Sequence, residues 1–230
     1  MKTYVNIMVA ALTAVCLATC VYAQGTFQNL GFEAANVPVL PAGQPAFINV
    51  TDALPGWTAY IGTNQATQVA YNGVSLGGAV VGLVDLHTSF FSNNVIAGNF
   101  TANLYPGYYP PDAADDSAAI AQTGLIPGAA RSLLFDANDH ISQLVVTFNG
   151  QNLPFFLLST SSNFQTYGAD ISGFAGVSGE LRFTQQPIFA EFPIVWLDNI
   201  RFSSIPEPCT VSFLALGALL LGGRVLGRRR

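Results

Sequence analysis

The chain has 230 residues, of which 50% are hydrophobic and only 9% carry a charge. Five of its eight basic residues lie near the two ends, so three arginines oppose thirteen acids between residues 24 and 208, a formal charge of −10. Such an acidic stretch repels phosphate backbones and argues against a nucleic-acid partner. Cys16, Cys20 and Cys209 all lie outside it, which excludes cysteine nucleophiles, disulfides and cysteine metal sites from the middle of the chain.

Residues 1–23 have the three parts of a secretory signal peptide. Lys2 supplies a positive charge, Ile7–Val21 is mostly apolar, and small residues precede a cleavage point between Ala23 and Gln24. The apolar run is too short and wrongly flanked for a stable membrane span. We therefore expect the protein to be exported through an inner membrane.

Residues 24–204 are predicted to form one all-β domain. Runs rich in aromatic and β-branched residues alternate with Gly, Pro and Asn, and the clearest are Ala79–Val84, Leu144–Phe148 and Ile194–Leu197. Asn149-Gly150, followed by Leu153–Leu158, is the strongest hairpin signal. Roughly ten to twelve such strands predict a jelly-roll-like β-sandwich.

Four short motifs in this domain are similar to those of a known group of folds. They are Asn29–Glu33, Leu54–Trp57, Ala121–Gly128 and Leu197–Phe202. Their order resembles that of galactose-binding-like jelly rolls and of their relatives among carbohydrate-binding modules. The resemblance implies the same sandwich architecture, although Asn199 replaces an aspartate of the closing motif.

The same resemblance implies a structural calcium ion, the one cofactor that we consider. Relatives often carry it where the first and the closing strands meet, and Glu33 and Asp198 match those two positions. Carboxylate oxygens suit calcium, and an extracellular site is filled even when its affinity is weak. The alternative is that Glu33 caps a turn while Asp198 accepts hydrogen bonds from loop amides.

One catalytic motif is present, but its context argues against an enzyme. Gly73–Gly77 matches G-x-S-x-G around Ser75, and Asp85 and His140 follow in the order of a serine hydrolase. That motif requires a strand–turn–helix, whereas Gly78–Val81 is glycine-rich and β-branched. No pair of acids has a spacing that favours glycoside hydrolysis. We therefore predict no catalytic residues.

Aromatic side chains offer a second kind of candidate site. Sugars stack on exposed rings, and the candidates are Trp57, Tyr60, Tyr105, Tyr108 and Tyr109. Trp57 and Trp196 are better explained as core residues, because each lies in an apolar context. The tyrosine-rich loop at 105–111 is therefore the preferred contact surface for a polysaccharide.

The C-terminal segment, residues 205–230, combines three features. Pro206-Glu207-Pro208 holds an extended stretch before Val211–Gly223, which contains no charge. A helix of that length spans roughly 20 Å, less than the ~30 Å hydrocarbon core, unless Arg224 snorkels toward the headgroups. Arg228, Arg229 and Arg230 then form a basic stop on the cytoplasmic side.

Together these three features resemble the PEP-CTERM sorting signal. The resemblance implies cleavage near Pro206–Pro208 by an exosortase, and a transient hold in the membrane by a short transmembrane helix. It also implies a bacterium with an outer membrane and exopolysaccharide. A plain C-terminal anchor is the alternative.

The sequence therefore predicts an exported, exosortase-sorted protein of the cell surface or extracellular matrix. Its expected role is structural or adhesive, non-catalytic and associated with exopolysaccharide. A carbohydrate-binding module of the same matrix is the alternative, and a secreted hydrolase is a second, disfavoured one.

Overall fold

In the computed structural model the described residues are 26–41, 43–75, 77–87, 89–107, 116–188 and 193–205. The predicted signal peptide and its cleavage point lie outside them, as do Pro206–Pro208, the predicted membrane helix and Arg228–Arg230. Within the described ranges, no helix has the length and hydropathy needed to cross a membrane.

The described residues form a sandwich of two sheets. In spatial order, sheet A contains β1 (Ala46–Asn49), β4 (Gln68–Tyr71), β5 (Val80–Asp85), β6 (Phe100–Tyr105), β14 (Val195–Ser203), β8 (Ser132–Ala137), β12 (Gln165–Asp170) and β11 (Phe155–Thr160). Sheet B contains β10 (Gln151–Asn152), β9 (Leu144–Phe148), β13 (Ser178–Gln185), β7 (Ala118–Leu125), β2 (Thr58–Ile61) and β3 (Asn64–Ala66). One four-residue helix, α1 (Val50–Ala53), and two 3₁₀ turns (Ser92–Asn94 and Ser172–Phe174) complete the described structure. The prediction of an all-β sandwich is confirmed.

The chain passes repeatedly from one sheet to the other. It begins in sheet A, enters sheet B at β2, and changes sheet again at β4, β7, β8, β9, β11, β13 and β14. Of the strand pairs in the described ranges, β4 and β5 run parallel and the others are antiparallel. The last strand, β14, lies inside sheet A between β6 and β8. These repeated crossings are typical of jelly-roll topologies.

The core lies between the sheets and is built from alternate residues of the strands. Phe135 of β8 is fully buried and contacts Phe183 of β13 across the sandwich, with ring centroids 5.3 Å apart. Its ring also lies 5.5 Å from Tyr167 and 5.3 Å from Phe155. Period-two burial on both sheets therefore produces one continuous aromatic and aliphatic core.

The N-terminal motif is explained by hydrogen bonds that fix the segment before β1. Trp57 is buried, as predicted, and its indole Nε1 donates to the carbonyl of Asn29 at 3.0 Å. Asn29 Nδ2 donates to the carbonyl of Pro55 at 3.1 Å, and Gln122 bonds both backbone groups of Gln28. Ile200 N also donates to the carbonyl of Leu30 at 3.0 Å, so hydrogen bonds join all four motifs.

The predicted hairpin at Asn149-Gly150 is present but shorter than expected. Both residues have positive φ, 48° and 74°, as a type I′ turn requires. The returning strand pairs with β9 only over Gln151–Asn152, and Leu153 N adds one bond to Val146 O at 2.8 Å. Pro154 has no N–H to continue the ladder, so β11 joins sheet A instead.

Replacing Phe135 by alanine should lower the free energy of unfolding by about 3–5 kcal/mol, because it leaves a cavity between both sheets. Phe47→Ala is the matched control, since that ring is 66% exposed and its loss should change stability by less than about 0.5 kcal/mol. Urea unfolding measures both. Equal effects of the two substitutions would contradict this description of the core.

Candidate functional site

The outer face of sheet B is an open surface that carries a row of polar side chains. Along β13 the side chains of Glu180, Arg182 and Thr184 alternate with buried Leu181 and Phe183, so the three polar groups face outward. The antiparallel register places Tyr60 of β2 on the same side, two strands away.

Three of these side chains form a compact polar cluster. The guanidinium carbon of Arg182 lies 4.1 Å from the centre of the Tyr60 ring. Arg182 Nε also donates to Glu180 Oε1 at 2.9 Å, within an ion pair whose two side chains are 26% and 40% exposed. The hydrogen bond to Glu180 raises the pKa of Arg182 above its ordinary value, so the guanidinium stays charged.

Small residues separate the members of this cluster. Ala119 pairs with both Tyr60 and Thr184, and Ala121 pairs with Arg182. On the other side of β13, Thr147 is the register partner of Arg182. The result is a shallow surface across four neighbouring strands, about 14 Å wide. Its polar side chains lie over the small alanine residues of β7.

The tyrosines that were predicted to stack on sugars lie in three different environments. Tyr60 lies partly exposed in the sheet B cluster. Tyr105 was wrongly predicted as a contact residue: it is fully buried, because it packs with Ala70 and Val80 on the outer face of sheet A. Tyr108 and Tyr109 lie outside the described residues.

The loop that follows β5 covers part of that outer face of sheet A. Trp196 points away from the main core, yet it is only 5% exposed, because Phe91 and Val95 pack against it. The rings of Phe91 and Trp196 lie 5.6 Å apart. Trp196 is therefore buried as predicted, but in a separate cluster beneath the loop that follows β5.

The two residues predicted to bind calcium lie near each other. Glu33 Oε1 accepts the backbone N–H groups of Asn99 and Phe100 at 2.8 and 3.0 Å, and Oε2 accepts Asn99 Nδ2 at 3.1 Å. Glu33 therefore makes the turn-capping contacts of the alternative interpretation. Its negative charge also acts on Asp198.

Asp198 is a fully buried carboxylate in β14. Its oxygens accept hydrogen bonds from the Thr101 hydroxyl at 2.6 Å, from Ala97 N at 3.1 Å and from Asn199 N at 2.6 Å. Burial, together with a smaller effect of the negative charge of Glu33, raises the pKa of Asp198 to about 7 against the lowering effect of these three donors.

The donor chemistry fits calcium, although the protein side chains alone do not complete a site. Two carboxylates from different segments converge, and a cation between them would relieve the cost of charging Asp198. Among the residues that the structure describes, no three His, Cys, Asp or Glu side chains are placed so that they could hold a metal ion together. Glu33 and Asp198 would hold the ion, with backbone or water oxygens supplying the remaining ligands.

Ser75, Asp85 and His140, the residues of the serine-hydrolase pattern, do not form a catalytic triad in the described structure. Ser75 lines a cavity with Phe47 and Val74, whereas Asp85 lines a different one. The side chain of His140 is 59% exposed and contacts Asp139 at 3.4 Å. Leu76, inside the motif, lies outside the described residues. The geometry therefore supplies no serine nucleophile paired with these partners.

Solved structures with a similar fold include an enzyme. A Stig cyclase from Fischerella sp. TAU, solved with (3Z)-3-(1-methyl-2-pyrrolidinylidene)-3H-indole, superposes with a TM-score of 0.52 at 17% identity. The match covers 82% of this chain and 100% of the cyclase. The chain shares the fold of this cyclase. At so low an identity the likeness concerns the fold alone.

Two carbohydrate-binding modules superpose on the chain with lower TM-scores. TmCBM61, solved with beta-1,4-galactotriose, gives a TM-score of 0.41 at 12% identity over 80% of this chain and 100% of the module. CBM27-1 of Caldicellulosiruptor saccharolyticus, solved with mannohexaose, gives a TM-score of 0.39 at 15% identity. That match covers 72% of this chain and 100% of the module. No protein-family model and no curated protein matches the sequence.

Without calcium, raising the pH from about 4 to about 7 should lower the free energy of unfolding. The unfolded chain releases the Asp198 proton near the ordinary pKa of 3.8, while the folded chain keeps it up to about pH 7. Stability from this group is therefore greatest at acid pH and falls, on the order of a few kcal/mol, through that window. Urea unfolding in EDTA measures it, and Asp198→Asn should remove this part of the pH dependence.

Calcium binding requires the ionised carboxylate, so millimolar calcium should abolish this loss and raise the Tm at pH 7. Glu33→Gln should abolish the calcium response, whereas Asp139→Asn, which removes a 72% exposed carboxylate, should retain it. A Tm that calcium leaves unchanged in the unsubstituted protein would exclude the ion.

Proposed function

We propose that this is an exported, non-catalytic protein that binds neutral polysaccharide through the outer face of sheet B. The observation that carries the proposal is the cluster of Tyr60, Arg182 and Glu180 on an open sheet. Carbohydrate binding was the alternative at the sequence level. The exposed cluster favours it over a purely structural or adhesive role.

The chemistry of the cluster suits sugar hydroxyl groups. Arg182 has further N–H donors beyond those bonded to Glu180, and each carboxylate oxygen of Glu180 accepts more than one hydrogen bond. Neighbouring hydroxyls of a sugar each donate and accept, so they match such a pair. Stacking on Tyr60 keeps the guanidinium plane fixed and reduces the entropy lost on binding.

The charge and shape of the face favour a neutral polymer. Arg182 and Glu180 cancel each other's charge, so the cluster attracts neither an anion nor a cation strongly. The formal charge of −10 on residues 24–208 further disfavours acidic polysaccharides. An open face about 14 Å wide leaves both ends of a bound chain free, as a long polymer requires.

The proposed location rests on the two ends of the sequence. Residues 1–23 direct export, and residues 205–230 hold the precursor in the membrane until an exosortase cuts near Pro206–Pro208. The released domain then acts at the outer surface or in the extracellular matrix. A polysaccharide-binding face fits that setting, because exopolysaccharide is the material that surrounds such a protein.

Arg182→Ala and Tyr60→Ala should each weaken polysaccharide binding about tenfold or more, because each removes half of the stacked pair. Affinity electrophoresis in gels that contain galactan, mannan or xylan measures retardation by neutral polymers, and alginate serves as the acidic comparison. We expect a neutral polymer to retard the protein and alginate to have no effect.

Arg131→Ala is the matched control, since the one described hydrogen bond of the Arg131 side chain goes to the neighbouring carbonyl of Ala130. It should bind like the unsubstituted protein. The proposed face would be wrong if Arg182→Ala and Arg131→Ala behaved alike, or if no polymer retarded the protein.

The proposed sorting predicts that both ends of the chain are removed from the mature protein. Protein recovered from the surface of the producing cells should lack residues 1–23 and the arginines at 228–230, which intact-mass spectrometry detects directly. Glu207→Ala should leave an uncut, membrane-retained form, because it removes the one carboxylate of the Pro-Glu-Pro segment. Surface protein with Arg228–Arg230 intact would favour the plain anchor.

A further inference from the structure

A cavity of about 290 Å³ lies at the rim of sheet A, where β8 and β11 end and β12 begins. Its wall consists of Asn138, Asp139 and residues 160–165, so it is separate from the cluster on sheet B. The volume is close to the lower limit of the range of roughly 300–1,000 Å³ for ligand pockets. The cavity therefore suits a small ligand, or one end of a long one.

The turn that joins β11 to β12 forms most of the wall. Ser161 N donates to the carbonyl of Phe164 at 2.8 Å and closes this turn. At its base Thr160 and Gln165 are register partners, and Gln165 also pairs with Ala137 of β8. Ala137 belongs to the core between the sheets, so the side chains of Thr160 and Gln165 lie on that inner side of sheet A. The cavity therefore borders the core.

Two amide side chains in the wall are held in place by the fold. Asn138 Nδ2 donates to the carbonyl of Ile194 at 2.8 Å, and Asn138 Oδ1 accepts the backbone N–H of Trp196 at 3.1 Å. Gln165 Oε1 accepts the hydroxyl of the buried Tyr167. Each amide has two N–H groups and two acceptor positions, so both retain the capacity to bond a ligand. Because they are already oriented, less entropy is lost on binding.

The rest of the polar wall is almost entirely neutral. Residues 160–163 supply three hydroxyl groups and a third amide, all of which donate and accept hydrogen bonds. The carboxylate of Asp139 is 72% exposed and contacts His140 at 3.4 Å, so it adds an acceptor rather than a buried charge. With one carboxylate and no lysine or arginine, the wall suits neither an anion nor a tightly bound metal ion.

Phe164 adds the feature that decides the class of ligand. It is the one aromatic residue of the wall, and it is partly exposed. A ring beside several neutral donors and acceptors matches a sugar, which has an apolar C–H face and hydroxyl groups around its edge. We propose that this cavity binds the terminal sugar of a neutral polysaccharide. The sugar ring packs on Phe164, and the rest of the polymer leaves past the exposed residues 161–163.

Ligand-observed NMR titration of the full-length protein, in a detergent without a sugar headgroup, tests the ligand class. The probes are the methyl glycosides of galactose, mannose and glucose, of which at least one should bind with a Kd on the order of millimolar. Cyclohexanol, a ring with a single hydroxyl, should bind about tenfold or more weakly. The uronic acid of the sugar that binds should also bind more weakly than its glycoside. A trisaccharide of that sugar should bind as tightly as the glycoside, because only the terminal unit enters.

Substitutions in the turn test the location. Phe164→Ala removes the ring, and Ser162→Trp fills the cavity from an exposed position, where a larger residue costs little stability. Each should weaken binding of the glycoside about tenfold or more. Phe156→Ala is the matched control, since it removes a 37% exposed ring of β11 that does not line the cavity. It should bind like the unsubstituted protein.

The proposal would be overturned if none of the three glycosides bound, if cyclohexanol bound equally well, or if the trisaccharide were excluded. Equal effects of Phe164→Ala and Phe156→Ala would also overturn it. The sheet B face is tested separately, because Arg182→Ala should reduce retardation by a polymer and leave glycoside binding intact, whereas Phe164→Ala should do the reverse. Retardation without glycoside binding would overturn this cavity alone, and glycoside binding without retardation would overturn the sheet B face alone.

Discussion

The contact between Phe135 and Phe183 across the two sheets is the constraint on which the rest of the structure depends. No disulfide is available between residues 24 and 208, so burial of apolar surface must hold the sheets together. Both rings are fully buried, and their strands, β8 and β13, carry polar groups on their outer faces. The positions of Asp136 and Arg182 outside the sandwich therefore follow from the packing of their neighbours inside it.

The outer faces of the two sheets differ in how far loops cover them. The segment that follows β5 covers part of sheet A and buries Trp196 there. Among the residues that the structure describes, none forms such a cover over Tyr60 and Arg182 of sheet B, and both side chains are partly exposed. An open face can accept any part of a long polymer, because both ends of the bound chain stay free.

Local sequence patterns predicted the strands well and their partners poorly. β-Branched runs located β9 with both bounds correct, and Asn149-Gly150 located its turn, but Pro154 moved the next strand into the other sheet. Alternation along Glu180–Thr184 indicates an outward polar row. Nothing local to Tyr60 shows that it joins that row, because pairing of β2 with β7 brings it there. Tyr105 was misjudged for the same reason: its surroundings come from distant segments.

The place of β14 has a consequence for how the chain matures. Residues 195–203 are the last of the described strands to leave the ribosome, yet they lie between β6 and β8 inside sheet A. The two parts of sheet A on either side of β14 therefore cannot be joined until translation of the domain is complete. For the export proposed above, a chain whose sheet A is still divided could pass through a narrow translocation channel, and sheet A would be completed on the far side.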